Sequence, residues 1–221
     1  MSETSTILDE FGQAPIIGIM RNIEASTGHR VAACYQQAGL KFLEVTMNSS
    51  DVTELIPGLQ SQYPNLIIGA GTVRNTKELK AAMGLGAQFI VTPILDEEVI
   101  KTCVRANLPV FPGAYTPTEI YQAWSLGAMA VKVFPANQLG AGYVKDVLAP
   151  LDEVPLVPTG GVNKDNIRSF FEAGAFGVGM GGSLLPRDLI VGEDFNPLLG
   201  HFVELREKIA DFLGKPTGPW E

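Results

Sequence analysis

Four times along this chain a segment with helical periodicity stops at a glycine and runs straight into an apolar stretch. The four are Ala38-Gly39-Leu40-Lys41-Phe42-Leu43-Glu44, Leu85-Gly86-Ala87-Gln88-Phe89-Ile90-Val91, Leu126-Gly127-Ala128-Met129-Ala130-Val131-Lys132 and Ala173-Gly174-Ala175-Phe176-Gly177-Val178-Gly179. Glycine just past a helix end takes the left-handed conformation that side chains resist, and the apolar residues after it begin a strand. Gly39, Gly86, Gly127 and Gly174 are spaced by 47, 41 and 47 residues, enough for two strand–helix units each. Between them lie four more apolar segments, Ile16 to Arg21, Leu66 to Gly71, Leu108 to Pro112 and Val154 to Thr159. Eight such strands alternating with amphipathic helices need both faces covered, which a closed parallel sheet provides. The pattern predicts an α/β fold, a single (β/α)8 TIM barrel, with strands near 16–21, 41–46, 66–71, 88–92, 108–112, 129–134, 154–159 and 176–180.

Helices are expected at 25–38, 51–62, 75–83, 96–106, 117–125, 142–149 and 164–172. Thr116-Pro117-Thr118-Glu119 reads as a capping box with proline at the first helical position, and Asn163 as an N-cap. Ile7-Leu8-Asp9-Glu10-Phe11 is expected to form a short helix closing the barrel bottom, Phe195 to Leu213 the last helix, and Pro216 to Glu221 an extended end. A length of 221 residues suits one barrel domain over 1–221, with a core at about 14–213 and a tail at 214–221.

A net charge of −8 argues against nucleic acid or an anionic membrane as partner, because both select basic patches. No apolar run approaches the roughly 20 residues of a membrane span, and the start Met1-Ser2-Glu3-Thr4-Ser5-Thr6 lacks the basic and apolar regions of a signal peptide, so a cytoplasmic location is expected. Cys34 and Cys103 form no Cys-x-x-Cys and read as buried reduced thiols. Asp96-Glu97-Glu98 reads as a helix first turn and Glu193-Asp194 as a solvated loop, so no metal site is expected. Gly177-Val178-Gly179-Met180-Gly181-Gly182 matches G-x-G-x-x-G, yet no room follows it for a dinucleotide domain. Neither metal nor cofactor is expected.

The repeat also sets the phase of the barrel interior. Glu44, Val91, Lys132 and Gly179 each lie five positions after their glycine, on strands two, four, six and eight. Side chains of one barrel layer come from alternate strands, so Glu44 and Lys132 should point inward at one level, with the small Gly179 leaving room. One reading is a buried ion pair tying the barrel together. The other is an amine nucleophile with a carboxylate acid/base, because desolvation lowers a lysine pKa towards the range that permits attack on a carbonyl. His29 and His201 lie on no strand end and read as helix surface residues.

Thr159-Gly160-Gly161 and Gly181-Gly182-Ser183 follow strands seven and eight, where barrels bind phosphate through backbone N–H groups. Arg21, ending strand one, can grip a carboxylate with two parallel hydrogen bonds. Gly69-Ala70-Gly71-Thr72 ends strand three, so its glycines allow close approach and Thr72 offers a hydroxyl.

The motifs Leu43-Glu44-Val45-Thr46, Ile68-Gly69-Ala70-Gly71-Thr72-Val73, Phe111-Pro112-Gly113, Val131-Lys132-Val133-Phe134-Pro135-Ala136, Pro158-Thr159-Gly160-Gly161-Val162 and Gly181-Gly182-Ser183 together resemble the 2-keto-3-deoxy-6-phosphogluconate aldolase family, including its 4-hydroxy-2-oxoglutarate aldolase activity. The resemblance runs in order over about residues 14 to 185. It implies a metal-independent class I aldolase, commonly a homotrimer, acting on a phosphorylated 2-keto-3-deoxy sugar acid and releasing pyruvate. By resemblance Lys132 is the Schiff-base lysine and Glu44 the general acid/base. Thr72 and Pro93 line the pyruvyl pocket, Phe134 packs beside the lysine, and Gly161 and Ser183 hold the phosphate. Some members carry arginine in the strand-two loop, where this chain has Asn48, and others carry it on strand one, as Arg21 is here, so the resemblance implies Arg21 as the carboxylate clamp. Asn48 resembles the phosphogalactonate branch, whereas Pro158-Thr159-Gly160-Gly161 resembles the phosphogluconate branch. A phosphate-binding isomerase or synthase, or a non-catalytic sugar-acid binder, would share the loop glycines without needing an inward lysine. Tyr121 and Trp124 are candidates for a subunit interface or for simple helix packing.

Overall fold

Each of the four repeat glycines ends its helix as expected, with φ of 76° at Gly39, 84° at Gly86, 96° at Gly127 and 95° at Gly174. The computed structural model describes residues 3–214. The elements run α1 (Glu3–Gln13), β1 (Ile16–Met20), α2 (Ala25–Gln37), β2 (Phe42–Thr46), α3 (Val52–Gln62), β3 (Ile67–Gly71), α4 (Thr76–Gly84), β4 (Ile90–Val91) and α5 (Glu97–Arg105). They continue with β5 (Val110–Phe111), β6 (Gly113–Ala114), α6 (Pro117–Ser125), β7 (Val131–Val133), α7 (Gly140–Leu148), β8 (Leu156–Pro158), α8 (Ile167–Glu172), β9 (Val178–Met180), α9 (Arg187–Ile190) and α10 (Asn196–Lys208).

All the strand pairings are parallel, in a sheet of order β5-β4-β3-β2-β1-β9 and a second of order β6-β7-β8. β5 and β6 are two halves of one barrel strand, split at Pro112, which has no N–H to give the ladder. That strand joins the two sheets on one side, and a parallel bridge between Thr159 and Gly179 joins them on the other. The result is the eight-stranded (β/α)8 barrel that the glycine repeat predicts.

Several boundaries differ from the sequence expectation. Regular pairing in the fourth and fifth strands is shorter than 88–92 and 108–112, since only Ile90–Val91 and Val110–Phe111 lie in strands there. The helix expected at 164–172 is regular only from Ile167. Asn163 Oδ1 accepts the backbone N–H groups of Asp165 (2.8 Å) and Asn166 (3.2 Å), so it closes a turn ahead of the helix instead of capping it. The capping box at Thr116 and Glu119 forms as read. Asp96 caps α5 by accepting from Val99 N–H at 2.9 Å. Cys34 and Cys103 are buried free thiols. The tail expected at Pro216 to Glu221 lies outside the described residues.

Two apolar bodies result. The larger fills the space between helices and sheet, where the outward faces of the strands meet the buried stripes of the helices; Trp124 is half-buried against it, which favours helix packing over exposure at that position. The smaller is the column inside the barrel, and α1 closes its lower end. Phe11 of α1 enters the barrel edge-on to Phe42, with ring centroids 4.9 Å apart, and also meets Phe176 at 5.1 Å. Phe89 then touches both Phe42 and Phe111 at 5.7 Å. Each buried ring contributes about 1.5–3 kcal/mol from the area it removes from water. This aromatic floor supports the polar layer above it.

Candidate active site

The repeat phase places Glu44 on β2 and Lys132 on β7, and both side chains enter the barrel above the aromatic floor. Glu44 is 1% exposed and Lys132 5%. Both line a small cavity of about 10 Å³, together with Val91 and Gly179, the other two members of the repeat position, and with Ile19 and Thr159. That volume suits about one water molecule. Among the described residues the amine and the carboxylate form no direct ion pair, and Glu44 Oε2 is buried with no hydrogen-bond partner. The tying ion pair considered from the sequence is therefore absent in this geometry.

Burial displaces both groups towards their neutral forms. Desolvation lowers the Lys132 pKa; the Glu44 charge opposes that shift and the Arg21 charge adds to it. Desolvation likewise raises the Glu44 pKa against the pull of Lys132 and Arg21. A neutral amine is a nucleophile and a neutral carboxyl is a proton donor, so one physical cause prepares both groups. Phe134, just past β7, lies beside the amine with its ring centroid 5.0 Å from Nζ.

The remaining expected residues all fall at carboxyl ends of strands, the rim where barrel sites form. Arg21 follows β1, and its Nη2 donates to Thr72 Oγ1 at 3.4 Å across the end of β2. Thr72 follows β3 with a positive φ of 57°, a conformation that a β-branched residue adopts only where its surroundings impose it. Pro93 follows β4, half-buried, and its carbonyl carbon would stand 2.5 Å from a Cβ added at Gly113. Thr159 follows β8, 4% exposed, with Oγ1 donating to the Val157 carbonyl at 3.2 Å. Gly160 and Gly161 follow at φ of 97° and 76°, values that side chains rarely adopt.

Gly181, Gly182 and Ser183 follow β9 in a tight turn in which the Gly181 carbonyl accepts from Leu184 at 2.9 Å and Leu185 at 3.0 Å. The Ser183 hydroxyl donates to the Val162 carbonyl, tying this loop to the one after β8. The room attributed to Gly179 goes to Thr159, whose Oγ1 would stand 2.3 Å from a Cβ there.

Two supporting groups were not legible in the sequence. The Asn22 N–H donates to Ser49 Oγ at 2.9 Å, and that oxygen is 2.9 Å from Thr46 Oγ1, so the turn carrying Arg21 is held to the end of β2. Small hydroxyl residues at strand ends are too common for any pattern to single them out. His201, expected on a helix surface, is half-buried on α10 and reaches the Ser183 carbonyl at 2.9 Å. A carbonyl only accepts, so the ring must donate through Nε2–H. His29 is half-buried on α2, and its own carbonyl accepts from Tyr63 Oη at 2.8 Å.

The family model "Aldolase: KDPG and KHG aldolase" matches residues 7–199. The chain belongs to this family. KDPG and KHG aldolases are carbon–carbon lyases. The 2-dehydro-3-deoxy-6-phosphogalactonate aldolase of Escherichia coli (strain K12) is 34% identical over 172 residues, covering 77% of this chain and 84% of that protein. The 2-dehydro-3-deoxy-phosphogluconate aldolase of Haemophilus influenzae (strain ATCC 51907 / DSM 11121 / KW20 / Rd) is 32% identical over 168 residues, covering 76% of this chain and 79% of that one. Among solved structures, native KDPGal superposes with a TM-score of 0.83 at 30% identity, covering 92% of this chain and 98% of its own. Both sugar branches of the family thus stand at a similar distance from this chain.

Proposed function

We propose that this member of the KDPG and KHG aldolase family cleaves 2-keto-3-deoxy-6-phosphogluconate to pyruvate and glyceraldehyde 3-phosphate through a Schiff base on Lys132, and 4-hydroxy-2-oxoglutarate to pyruvate and glyoxylate. The observation that carries this reading is the buried amine of Lys132 sharing a small cavity with the carboxyl of Glu44, whose Oε2 has no hydrogen-bond partner among the described residues. An isomerase, a synthase or a passive binder has no use for that arrangement.

Neutral Lys132 attacks the C2 ketone, and the resulting carbinolamine loses its hydroxyl as water with a proton from Glu44. The product is a protonated Schiff base beside a Glu44 carboxylate. That carboxylate, directly or through one water, takes the proton of the C4 hydroxyl. The C3–C4 bond breaks, its electron pair moves into the iminium to give an enamine, and the aldehyde leaves. Glu44 then returns its proton to C3, and water hydrolyses the imine to free pyruvate and Lys132. Arg21, held by Thr72, takes the substrate carboxylate, with Pro93 and Phe134 forming apolar walls. The loops Thr159–Gly161 and Gly181–Ser183 take the phosphate on backbone N–H groups, which an acidic chain must supply locally.

Asn48, exposed in the loop after β2, and the phosphogalactonate relative favour the alternative reading, in which the epimeric 2-keto-3-deoxy-6-phosphogalactonate is the substrate. The exposed Ile94, Tyr115 and Tyr121, on segments following β4 and β6, support self-association as a homotrimer. Borohydride reduction in the presence of pyruvate, followed by peptide mass mapping, should leave a stable three-carbon adduct on Lys132; an unmodified Lys132 overturns the mechanism. Comparing kcat/KM for the two phosphorylated epimers and 4-hydroxy-2-oxoglutarate ranks the substrates.

A further inference from the structure

Glu44 has a position that its own hydrogen bonds do not explain. Among the described residues its Oε2 is buried with no hydrogen-bond partner, and a carboxyl on three rotatable bonds would otherwise sample several rotamers. Something other than hydrogen bonds must define where it sits. The wall it leans on is β3, which presents glycine at two successive inward positions, Gly69 and Gly71. A Cβ built on Gly69 would lie 2.5 Å from the Phe89 ring, so the lower glycine admits an aromatic ring of the floor. A Cβ built on Gly71 would lie 2.3 Å from Glu44 Oε1, 2.5 Å from Cδ and 3.1 Å from Oε2. The upper glycine therefore admits the carboxyl group itself.

We infer that Gly71 is a positioning residue for Glu44: the bare backbone of β3 forms the seat that holds the carboxyl group at the height of Lys132. Gly71 lies in a regular strand and is absent from the positive-φ glycines, so its backbone would accept alanine. The atoms a methyl group would meet belong to the free end of the Glu44 side chain, so the barrel absorbs the methyl by rotating the carboxyl away and leaves its strands in place. The seat also explains why the adjoining Thr72, with its side chain, can follow at once: the restriction applies only where the chain faces inward.

This inference rests on the proposed role of Glu44, and the test separates the two. Wild type, Gly71→Ala, Glu44→Ala and the double variant are compared by steady-state kinetics, thermal melting and borohydride trapping with pyruvate. Gly71→Ala should lower kcat by about 10²-fold, the scale of an ångström of misplacement, while KM changes little. In the Glu44→Ala background the same methyl should change the residual rate by less than about twofold, because nothing is left to displace. The double variant should melt no lower than Glu44→Ala alone, which shows that the methyl fits once the carboxyl is gone. Retention of kcat in Gly71→Ala, or an equal loss with and without Glu44, overturns the seat even where wild-type Lys132 traps pyruvate normally. An untrapped wild type instead overturns the aldolase reading, and the seat with it.

Discussion

The barrel interior consists of two layers built by the same strands to opposite ends. In the lower layer Phe11, Phe42, Phe89, Phe111 and Phe176 fill the space with rings at centroid separations of 4.9 to 5.7 Å, and each ring is buried. In the upper layer an amine and a carboxyl face a small cavity, and the carboxyl Oε2 has no hydrogen-bond partner among the described residues. Inward glycines serve both layers. Gly69 and Gly177 make way for the Phe89 and Phe11 rings below, and Gly71 and Gly179 for the Glu44 carboxyl and Thr159 hydroxyl above. The contrast teaches that stability and reactivity are separated by height: one pleat of strand, two residues, divides the packed floor from a layer that leaves polar groups unsatisfied. The floor offsets the cost of the layer above it.

The largest test of this division is Lys132→Met. Activity should fall by about 10⁴-fold or more, since the nucleophile is gone. Stability should rise, by about 1 kcal/mol or more at neutral pH, because an apolar chain of similar volume replaces a buried amine. The sign with pH follows from the lowered Lys132 pKa. Between that value and the ordinary lysine value of about 10.4, the unfolded chain binds more protons than the native one, so wild-type stability climbs with pH. The advantage of methionine should thus be greatest below the folded pKa and shrink as pH rises towards the unfolded one. Denaturant melts across that range measure it; a variant less stable than wild type at neutral pH would break the division by height.

Phe89→Ala probes the floor. It should cost about 3–5 kcal/mol in denaturant unfolding, while kcat per folded molecule stays within a few fold. A loss of kcat as deep as the loss of stability would show that the layers are not separable.

The smallest effect belongs to the rim. Arg21 lowers the Lys132 pKa through its charge, so Arg21→Gln should move the ascending limb of the kcat/KM pH profile to higher pH. Because Arg21 is exposed, water screens it, and the shift should be smaller than the accompanying rise in KM for the substrate carboxylate. A limb that stays still or moves down contradicts the electrostatic link between rim and interior.

Much of this was legible in the chain. Four helix-ending glycines marked alternate strands, and the fifth residue after each lines the inner cavity, because a barrel strand has a rigid two-residue period. Arg21, Thr72, Thr159 and the two glycine loops were legible for a similar reason, as strand ends are where the chain leaves the barrel. Their mutual contacts were not. Nothing in the sequence says that Arg21 reaches Thr72 across β2, that Ser49 braces the Asn22 turn, or that His201 on the last helix holds the Ser183 carbonyl.

The sequence by itself determined the fold, the family and which residues face inward, because these follow from local periodicity and from residue types whose backbone preferences are strong. Only the tertiary structure decided that Lys132 and Glu44 stay unpaired, that both shift towards neutrality, and that Gly71 rather than a hydrogen bond defines where the carboxyl lies. Those outcomes depend on distances of an ångström or two between strands remote in the chain, set by how the whole barrel closes.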